Sequence, residues 1–304
     1  MKINDYRIVS QTVFFVLSNL GFIGVTGLIY PFLYCYECPG ADASCPIGIL
    51  EHGVLGDYML LIYLFGFIGV IGVVFGRAFC GWACPIGFLQ DIFGFLTGKR
   101  IKMSEKNKWN LLRIVFLLTI IIFTFIAVVF IMKYDFLLSI IIILIPIILI
   151  PYITKLLDFR YLKYNILILT VVAVYITGTL AFTLICPIGG LTATIPTLII
   201  YPGRYGFGRF FWVKILGVIL FFILITVSYR GWCKYFCPFG ALISLFNKIS
   251  IIHLKIDNTC TECGLCKKVC PMNIDLTKEN RSLECIECFK CVDACPHKSV
   301  HVSH

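Results

Sequence analysis

Charge is scarce in this chain. Only 14% of its 304 residues are Asp, Glu, Lys or Arg, against roughly 25% in soluble globular domains. With a mean hydropathy of +0.95, that scarcity excludes an ordinary water-soluble fold. Acidic residues are the scarcer sign, 16 against 26 basic ones. The basic surplus does not point to nucleic acid, because Lys and Arg gather between apolar runs, where they serve as topology signals and contacts for anionic lipid. Histidine is rarer still. Of five, His52 alone lies near the apolar region, so a haem held by two imidazoles has no second ligand. His253, His297, His301 and His304 fall in or beside a polar tail and read as solvated. No glycine-rich nucleotide fingerprint follows a strand. No small-x-small cleavage site follows the first apolar run, which therefore reads as a retained helix rather than a signal peptide.

Long uncharged runs are what the chain has instead, and runs of about 20 residues mark membrane spans. Six helices are expected, at Thr12–Leu33, Tyr58–Phe75, Leu111–Met132, Phe136–Tyr152, Asn165–Ile185 and Phe210–Ser228. The stretch Leu191–Tyr201 is apolar but short and broken by Pro196, with Pro202 just beyond, which suits a re-entrant or interfacial loop. Basic residues set the orientation. Arg77, Lys99, Arg100, Lys102, Lys106 and Lys108 follow the second span, and Lys155, Arg160 and Lys163 precede the fifth. The loop from Tyr34 to Asp57 has no basic residue and carries Glu37, Asp42, Glu51 and Asp57. The positive-inside rule then places both termini in the cytoplasm, with Lys133, Arg204 and Arg209 on the opposite side. Trp82, Trp212 and Trp232 read as interfacial anchors, and Asp91 and Asp158 as interfacial too. The expected fold is an all-α multi-pass protein of the cell membrane, residues 1–252, followed by a C-terminal α+β ferredoxin-like domain, residues 253–304.

Cysteine, with 16 copies, carries the chemistry. Four copies open one tetrapeptide: Cys45-Pro-Ile-Gly, Cys84-Pro-Ile-Gly, Cys186-Pro-Ile-Gly and Cys237-Pro-Phe-Gly. Span one, Cys45, span two and Arg77-Ala-Phe-Cys80-Gly-Trp-Ala-Cys84-Pro are echoed by span five, Cys186, span six and Arg230-Gly-Trp-Cys233-Lys-Tyr-Phe-Cys237-Pro. The halves, about 1–100 and 160–252, form a parallel repeat of the kind related by an axis along the membrane normal. Residues 101–159 join them as a hairpin without cysteine. The repeat sorts the thiols by depth. Cys35, Cys38, Cys45 and Cys186 lie at the outer side, and Cys80, Cys84, Cys233 and Cys237 at the inner side. Each group has the four thiols an iron–sulfur cluster needs. The intervening span covers about 27 Å at 1.5 Å per residue, a gap that the apolar Cys-Pro-Ile-Gly loops shorten if they dip inward.

The tail reads Cys260-x2-Cys263-x2-Cys266-x3-Cys270-Pro, then Cys285-x2-Cys288-x2-Cys291-x3-Cys295-Pro. This is two-cluster ferredoxin spacing, in which the fourth Cys of each run serves the other cluster. Cys260, Cys263, Cys266 and Cys295 are assigned to one [4Fe–4S] cluster, and Cys285, Cys288, Cys291 and Cys270 to a second. About 50 residues build little core alone, so the clusters supply much of the folding energy. Thiolate quartets also hold zinc, but two interlocked runs with both prolines argue against it, and a cytoplasmic site argues against disulfides.

The eight membrane cysteines admit more readings. Cys80 and Cys84, like Cys233 and Cys237, stand at i and i+4 and would share a helix face, until the proline turns the chain. Two such pairs facing across the repeat axis can hold one further cluster, with Arg77 and Arg230 offsetting its negative charge. Soft thiolates suit copper(I) as well, and buried cysteine also serves as plain packing. The outer four can hold a cluster or, in an oxidising exterior, form disulfides.

The two Cys-x3-Cys-Pro motifs after membrane spans, joined to a two-cluster tail, resemble the NapH-type membrane polyferredoxins. They are also similar to the membrane parts of NosR-type and CcoG-type proteins. The resemblance spans residues from about 60 to 300 and maps Cys80, Cys84, Cys233, Cys237 and the eight tail cysteines onto family motifs. It implies electron transfer at the membrane: quinol oxidation feeding a reductase, supply to an extracytoplasmic metalloenzyme, or copper reduction. This chain departs by its additional expected spans and by adding Cys35, Cys38, Cys45 and Cys186. It also lacks the flavin domain of the NosR type. The expected function is passage of single electrons between a cytoplasmic donor and a membrane or extracytoplasmic acceptor. It would act as a subunit of a larger redox complex rather than a stand-alone enzyme, with quinone marked by no residue pattern here. The rivals are a copper-binding or copper-reducing thiol protein and a membrane anchor that docks a ferredoxin.

Overall fold

A computed structural model describes residues 3–18, 28–29, 31–32, 43–96, 162–201, 203, 209–279 and 281–303. Residues 1–98 and 163–304 form one compact unit and residues 99–162 another. The expected spans Leu111–Met132 and Phe136–Tyr152, together with Cys35, Cys38 and Asp158, lie outside the described residues.

Each half of the repeat is built on a long apolar helix, Tyr58–Phe75 in the first and Arg209–Val227 in the second. The chain then breaks and re-forms helix twice in quick succession. In the first half the breaks give Ala78–Trp82 and Pro85–Leu96. In the second they give Gly231–Tyr235 and Pro238–Ser244. Among the described residues, Tyr58–Phe75 alone meets the length and apolarity needed to cross a membrane, with a mean hydropathy of 2.4. Shorter apolar helical stretches run over Pro85–Leu96, Leu162–Tyr175, Pro187–Ile200 and Phe211–Val227.

Two expected spans differ from the observed helices. The first helix occupies Ile3–Leu17, and Leu28–Ile29 instead pair as a short parallel strand with Ala43–Ser44, so Thr12–Leu33 is not one helix. Uniform apolarity marks burial or lipid contact without distinguishing helix from strand. The helix Leu162–Thr177 also ends early. Gly178, at φ +63°, turns the chain out of it before the five-residue helix Ala181–Ile185. The stretch expected as a re-entrant loop is helical: a π turn at Gly190–Thr194 leads into Ile195–Ile200.

The tail is a small α+β unit. Strand His253–Ile256 pairs antiparallel with Val300–Ser303, with His253 opposite Ser303 and Ile256 opposite Val300. The five-residue helices Leu265–Val269 and Lys290–Ala294 pack against each other, and the second also meets the strand Val300–Ser303. His253 is buried against an Arg281 guanidinium, with 2.8 Å to its Nε2, so it is not a solvated histidine.

The distribution of polarity is inverted relative to a water-soluble protein. Arg7, Arg77, Lys163 and Arg230 are almost wholly buried, while Tyr58, Met59, Ile62, Val70, Tyr175 and Ile219 are exposed.

Candidate functional site

The tail thiols are placed by two copies of one loop, offset by 25 residues. Glu262, Gly264 and Asn273 in the first run have left-handed φ of 52°, 70° and 59°, and Glu287, Phe289 and Lys298 in the second have 47°, 55° and 52°. Non-glycine residues rarely adopt this conformation, and its repetition at equivalent positions marks a loop bent to a common purpose. Backbone N–H groups turn toward sulfur as a result. Those of Met272 and Ile274 reach Cys270, and those of His297 and Ser299 reach Cys295. Successive inward N–H groups form an anion-binding concavity.

Cys270, Cys285, Cys288 and Cys291 line one pocket, together with Leu254, Pro271, Met272, Ile274, Leu276, Ile286, Phe289 and Lys290. These are the four residues that ferredoxin spacing groups together, and four sulfurs on one largely apolar pocket are the donor set a cubane takes. Cys260, Cys263 and Cys266 also act on one another electrostatically and are more exposed. Among the described residues, no three His, Cys, Asp or Glu side chains converge closely enough to hold a single metal ion.

Cys80, Cys84, Cys233 and Cys237 are all buried, and each thiol feels the field of the others. Burial, then the neighbouring thiols Cys233 and Cys80, push the Cys84 thiol well above its ordinary range. The pairs do not share a helix face. The helix carrying Cys80 stops at Trp82, and Cys84 precedes a new helix beginning at Pro85. Cys233 and Cys237 are related in the same way. Proline starts a helix readily because its missing N–H is not needed there, but it clashes with a preceding turn. The N–H of the glycine three residues on, Gly87 or Gly240, then points at the cysteine sulfur.

The two halves are interlocked by their arginines. Arg77 donates to the carbonyl of Cys233 at 2.6 Å, and Arg230 donates to the carbonyl of Cys80 at 2.7 Å. A Cβ on Gly240 would lie 2.8 Å from the Arg77 guanidinium, so the last position of the tetrapeptide must be bare for the opposite arginine to pass. Each arginine is also paired. Arg230 meets Asp91 at 2.5 Å, and Arg7 meets the same carboxylate at 2.9 Å. Arg77 meets Glu284 of the tail at 3.0 Å, and Lys163 meets it at 2.5 Å. Burial alone would raise the Asp91 carboxyl, yet Arg230 and Arg7 hold it well below the usual carboxylate range. Asp91 is therefore the centre of a buried ion network. Burial raises the Cys233 thiol, and the fields of Arg230 and Arg77 oppose that rise, so both arginines act on the thiols as counter-charges while also holding the facing carbonyls.

The tail is seated on the first half. Trp82 Nε1 donates to the Glu287 carbonyl at 2.8 Å, and its ring lies 5.7 Å from that of Phe289. A Cβ on Gly81 would sit 2.4 Å from the Ile286 carbonyl oxygen. Asn247 accepts from the Arg77 backbone N–H at 2.7 Å and donates to the carbonyls of Ser282, Leu283 and Cys285. Asp293 accepts from the N–H groups of Ile3 and Asn4, satisfying the first turn of the N-terminal helix. Trp82 thus docks the tail, and Trp232 is buried against Phe221 and Phe236; neither is a lipid anchor. Trp212 is 65% exposed.

At the other end, Cys45 and Cys186 are both buried and interact electrostatically. Each precedes a proline-initiated helix, Pro46–Val54 or Pro187–Gly189. Glu51 accepts from the backbone N–H groups of Phe182 at 2.6 Å and Thr183 at 3.2 Å, and from the Thr183 hydroxyl. The polar partners Arg7, Gln90, Asp91, Lys163, Asn247 and Glu284 escaped sequence reasoning. They are scattered singly, and no spacing links them to the cysteines.

One family model, described as a 4Fe-4S binding domain, matches twice, at residues 57–104 and 209–257. A second, a 4Fe-4S dicluster domain, matches residues 252–296. The chain is 30% identical to an uncharacterized protein of Methanocaldococcus jannaschii over 100% of this chain and 97% of the relative. It is 30% identical to the ferredoxin-type protein NapH of Haemophilus influenzae, over 76% of this chain and 63% of that one. It is 23% identical to the methylamine utilization ferredoxin-type protein MauN of Methylorubrum extorquens, over 82% of this chain and 62% of that one. The chain therefore spans a little under two thirds of those two proteins. No solved structure matches it.

Proposed function

This chain belongs to the NapH-like family of ferredoxin-type iron–sulfur proteins, and we propose that it carries single electrons between a cytoplasmic donor and a membrane or extracytoplasmic acceptor. In this reading residues 1–252 are integral to the membrane and residues 253–304 stand on its cytoplasmic face. Cys260, Cys263, Cys266 and Cys295 hold one [4Fe–4S] cluster, and Cys270, Cys285, Cys288 and Cys291 a second. Cys80, Cys84, Cys233 and Cys237 hold a third, and Cys45 and Cys186, with Cys35 and Cys38, complete the route outward. Bound clusters supply one-electron redox chemistry at iron.

The observation that carries the reading is the seating of the Cys285–Cys291 loop on the Cys80–Cys84 motif, through Gly81 against Ile286 and Trp82 against Glu287. It puts the more buried tail cysteines beside the inner thiols and leaves Cys263 exposed to a soluble donor. Charge supports a cubane at the inner thiols. The buried cations Arg7, Arg77, Lys163 and Arg230, less the carboxylates Asp91 and Glu284, leave two positive charges. Four thiolates around an oxidised cubane core of charge +2 leave two negative ones. Four thiolates on one copper(I) would leave three. The exposed aliphatic and aromatic faces of Tyr58–Phe75 and Arg209–Val227 support membrane integration.

Iron and acid-labile sulfide in anaerobically purified protein test the reading. More than about 8 irons per chain, near 12 or 16, is expected for three or four cubanes. A yield of about 8, with copper recovered from the membrane thiols, would overturn it.

A further inference from the structure

The inner cysteine group is built on two matched motifs, and a side-chain hydrogen bond to one of its sulfurs breaks the match. Gln90, buried on the helix Pro85–Leu96, donates from Nε2 to the sulfur of Cys233 at 3.1 Å. Its orientation is set twice over. Nε2 also reaches the Ile86 carbonyl at 3.2 Å, and Oε1 accepts from the Trp232 backbone N–H at 3.3 Å. The last of these bonds crosses between the repeat halves. The repeat pairs Cys84 with Cys237, so the counterpart of Gln90 is Ile243, which is fully buried and has nothing to donate to Cys80. Two other sets of neighbours do come in matched pairs, Arg77 with Arg230 and Gly87 with Gly240. The side-chain amide bonded to Cys233 has no such partner in the other half and so breaks the match between the two motifs.

We infer that Gln90 sets the reduction potential of whatever the inner thiols hold and makes its two sides inequivalent. The inference rests on the proposed cluster at Cys80, Cys84, Cys233 and Cys237. Reduction adds negative charge that is shared onto the ligand sulfurs, and an N–H donor stabilises that charge, raising the potential. Burial strengthens the effect, because no water competes for the sulfur. Gln90 takes no part in binding iron. It holds a proton donor at one fixed sulfur, and its two other hydrogen bonds prevent it from turning away.

The test is an EPR-monitored redox titration of the full chain in detergent or nanodiscs, comparing wild type with Gln90→Ile, which copies the second half. Loss of the donor is expected to weaken reduction of the inner centre about tenfold, a shift of about 59 mV to lower potential, with the tail centres unmoved. Gln90→Met keeps the side-chain length and removes the donor without adding charge, so it is expected to shift the same centre in the same direction. It serves as well if the isoleucine variant fails to fold. A wild-type signal that is lost in Cys80→Ser/Cys233→Ser but unmoved in potential by either Gln90 variant overturns the role of Gln90 and leaves the cluster standing. No wild-type signal beyond the two tail centres overturns both.

Discussion

Trp82 donates its indole N–H to the backbone carbonyl of Glu287 at 2.8 Å. One partner lies between the two cysteines of the first inner motif and the other between two cysteines of the tail, so the bond joins two thiol groups 205 residues apart. Replacing the indole by a ring that cannot donate tests its weight. Trp82→Phe keeps an aromatic contact with Phe289 but leaves a carbonyl unpaired. We expect a loss of about 1–3 kcal/mol in tail docking, seen as faster limited proteolysis at the Ile249–Ile252 junction, with iron content unchanged at first.

Gly81→Ala is a harsher probe of the same seam. The new methyl would stand 2.4 Å from the Ile286 carbonyl oxygen, a backbone atom that cannot swing aside. Overpacking of this kind costs about 1–3 kcal/mol. The expected outcome is a lifted tail. Dipolar EPR broadening between the inner centre and the nearer tail centre should fall, and unchanged broadening would show that the seam is not where the two approach.

Asn247→Leu removes four hydrogen bonds at once, to Arg77, Ser282, Leu283 and Cys285. Each buried group left unpaired costs about 1–3 kcal/mol. Because one of them is the carbonyl of Cys285, iron should be lost first from the Cys270, Cys285, Cys288 and Cys291 set. The more exposed set should keep its iron under the same chelator challenge.

Asp91 carries a pH signature. Its carboxyl is buried, and Arg230 and Arg7 hold its pKa below the usual range. A depressed carboxylate contributes stability that is present above the unfolded pKa, about 3.9, and lost as pH falls through the folded value. Asp91→Asn leaves two buried guanidiniums without a counter-charge, at a cost of about 3–5 kcal/mol. The melting-temperature gap between wild type and variant should stay flat from about pH 8 to pH 5 and narrow only below the unfolded pKa. A gap that narrows near pH 7 would place the coupling elsewhere.

The sequence alone determined the ferredoxin-type tail and the doubled cysteine motif, because each is written in short-range spacing. Cys-x2-Cys-x2-Cys-x3-Cys-Pro specifies a tight loop, and the structure folds it that way twice. The long helix Tyr58–Phe75 was legible for the same local reason, a pure apolar run with glycine at its end. Reading the same apolarity as one helix from Thr12 to Leu33 failed at Leu28–Ile29, since hydrophobicity does not choose between helix and strand. Cys80 and Cys84 misled in another way: four-residue spacing looks like one helix face, but Pro85 ends that helix between them.

Only the tertiary structure decided what surrounds the thiols. Arg77 crosses to the second half and Arg230 to the first, Glu284 returns from the tail to Arg77, and Gln90 reaches a sulfur 143 residues away. None of these pairings has a local signature. Each exists because a buried charge or amide must find a partner once water is excluded, and which partner it finds depends on how distant segments pack together.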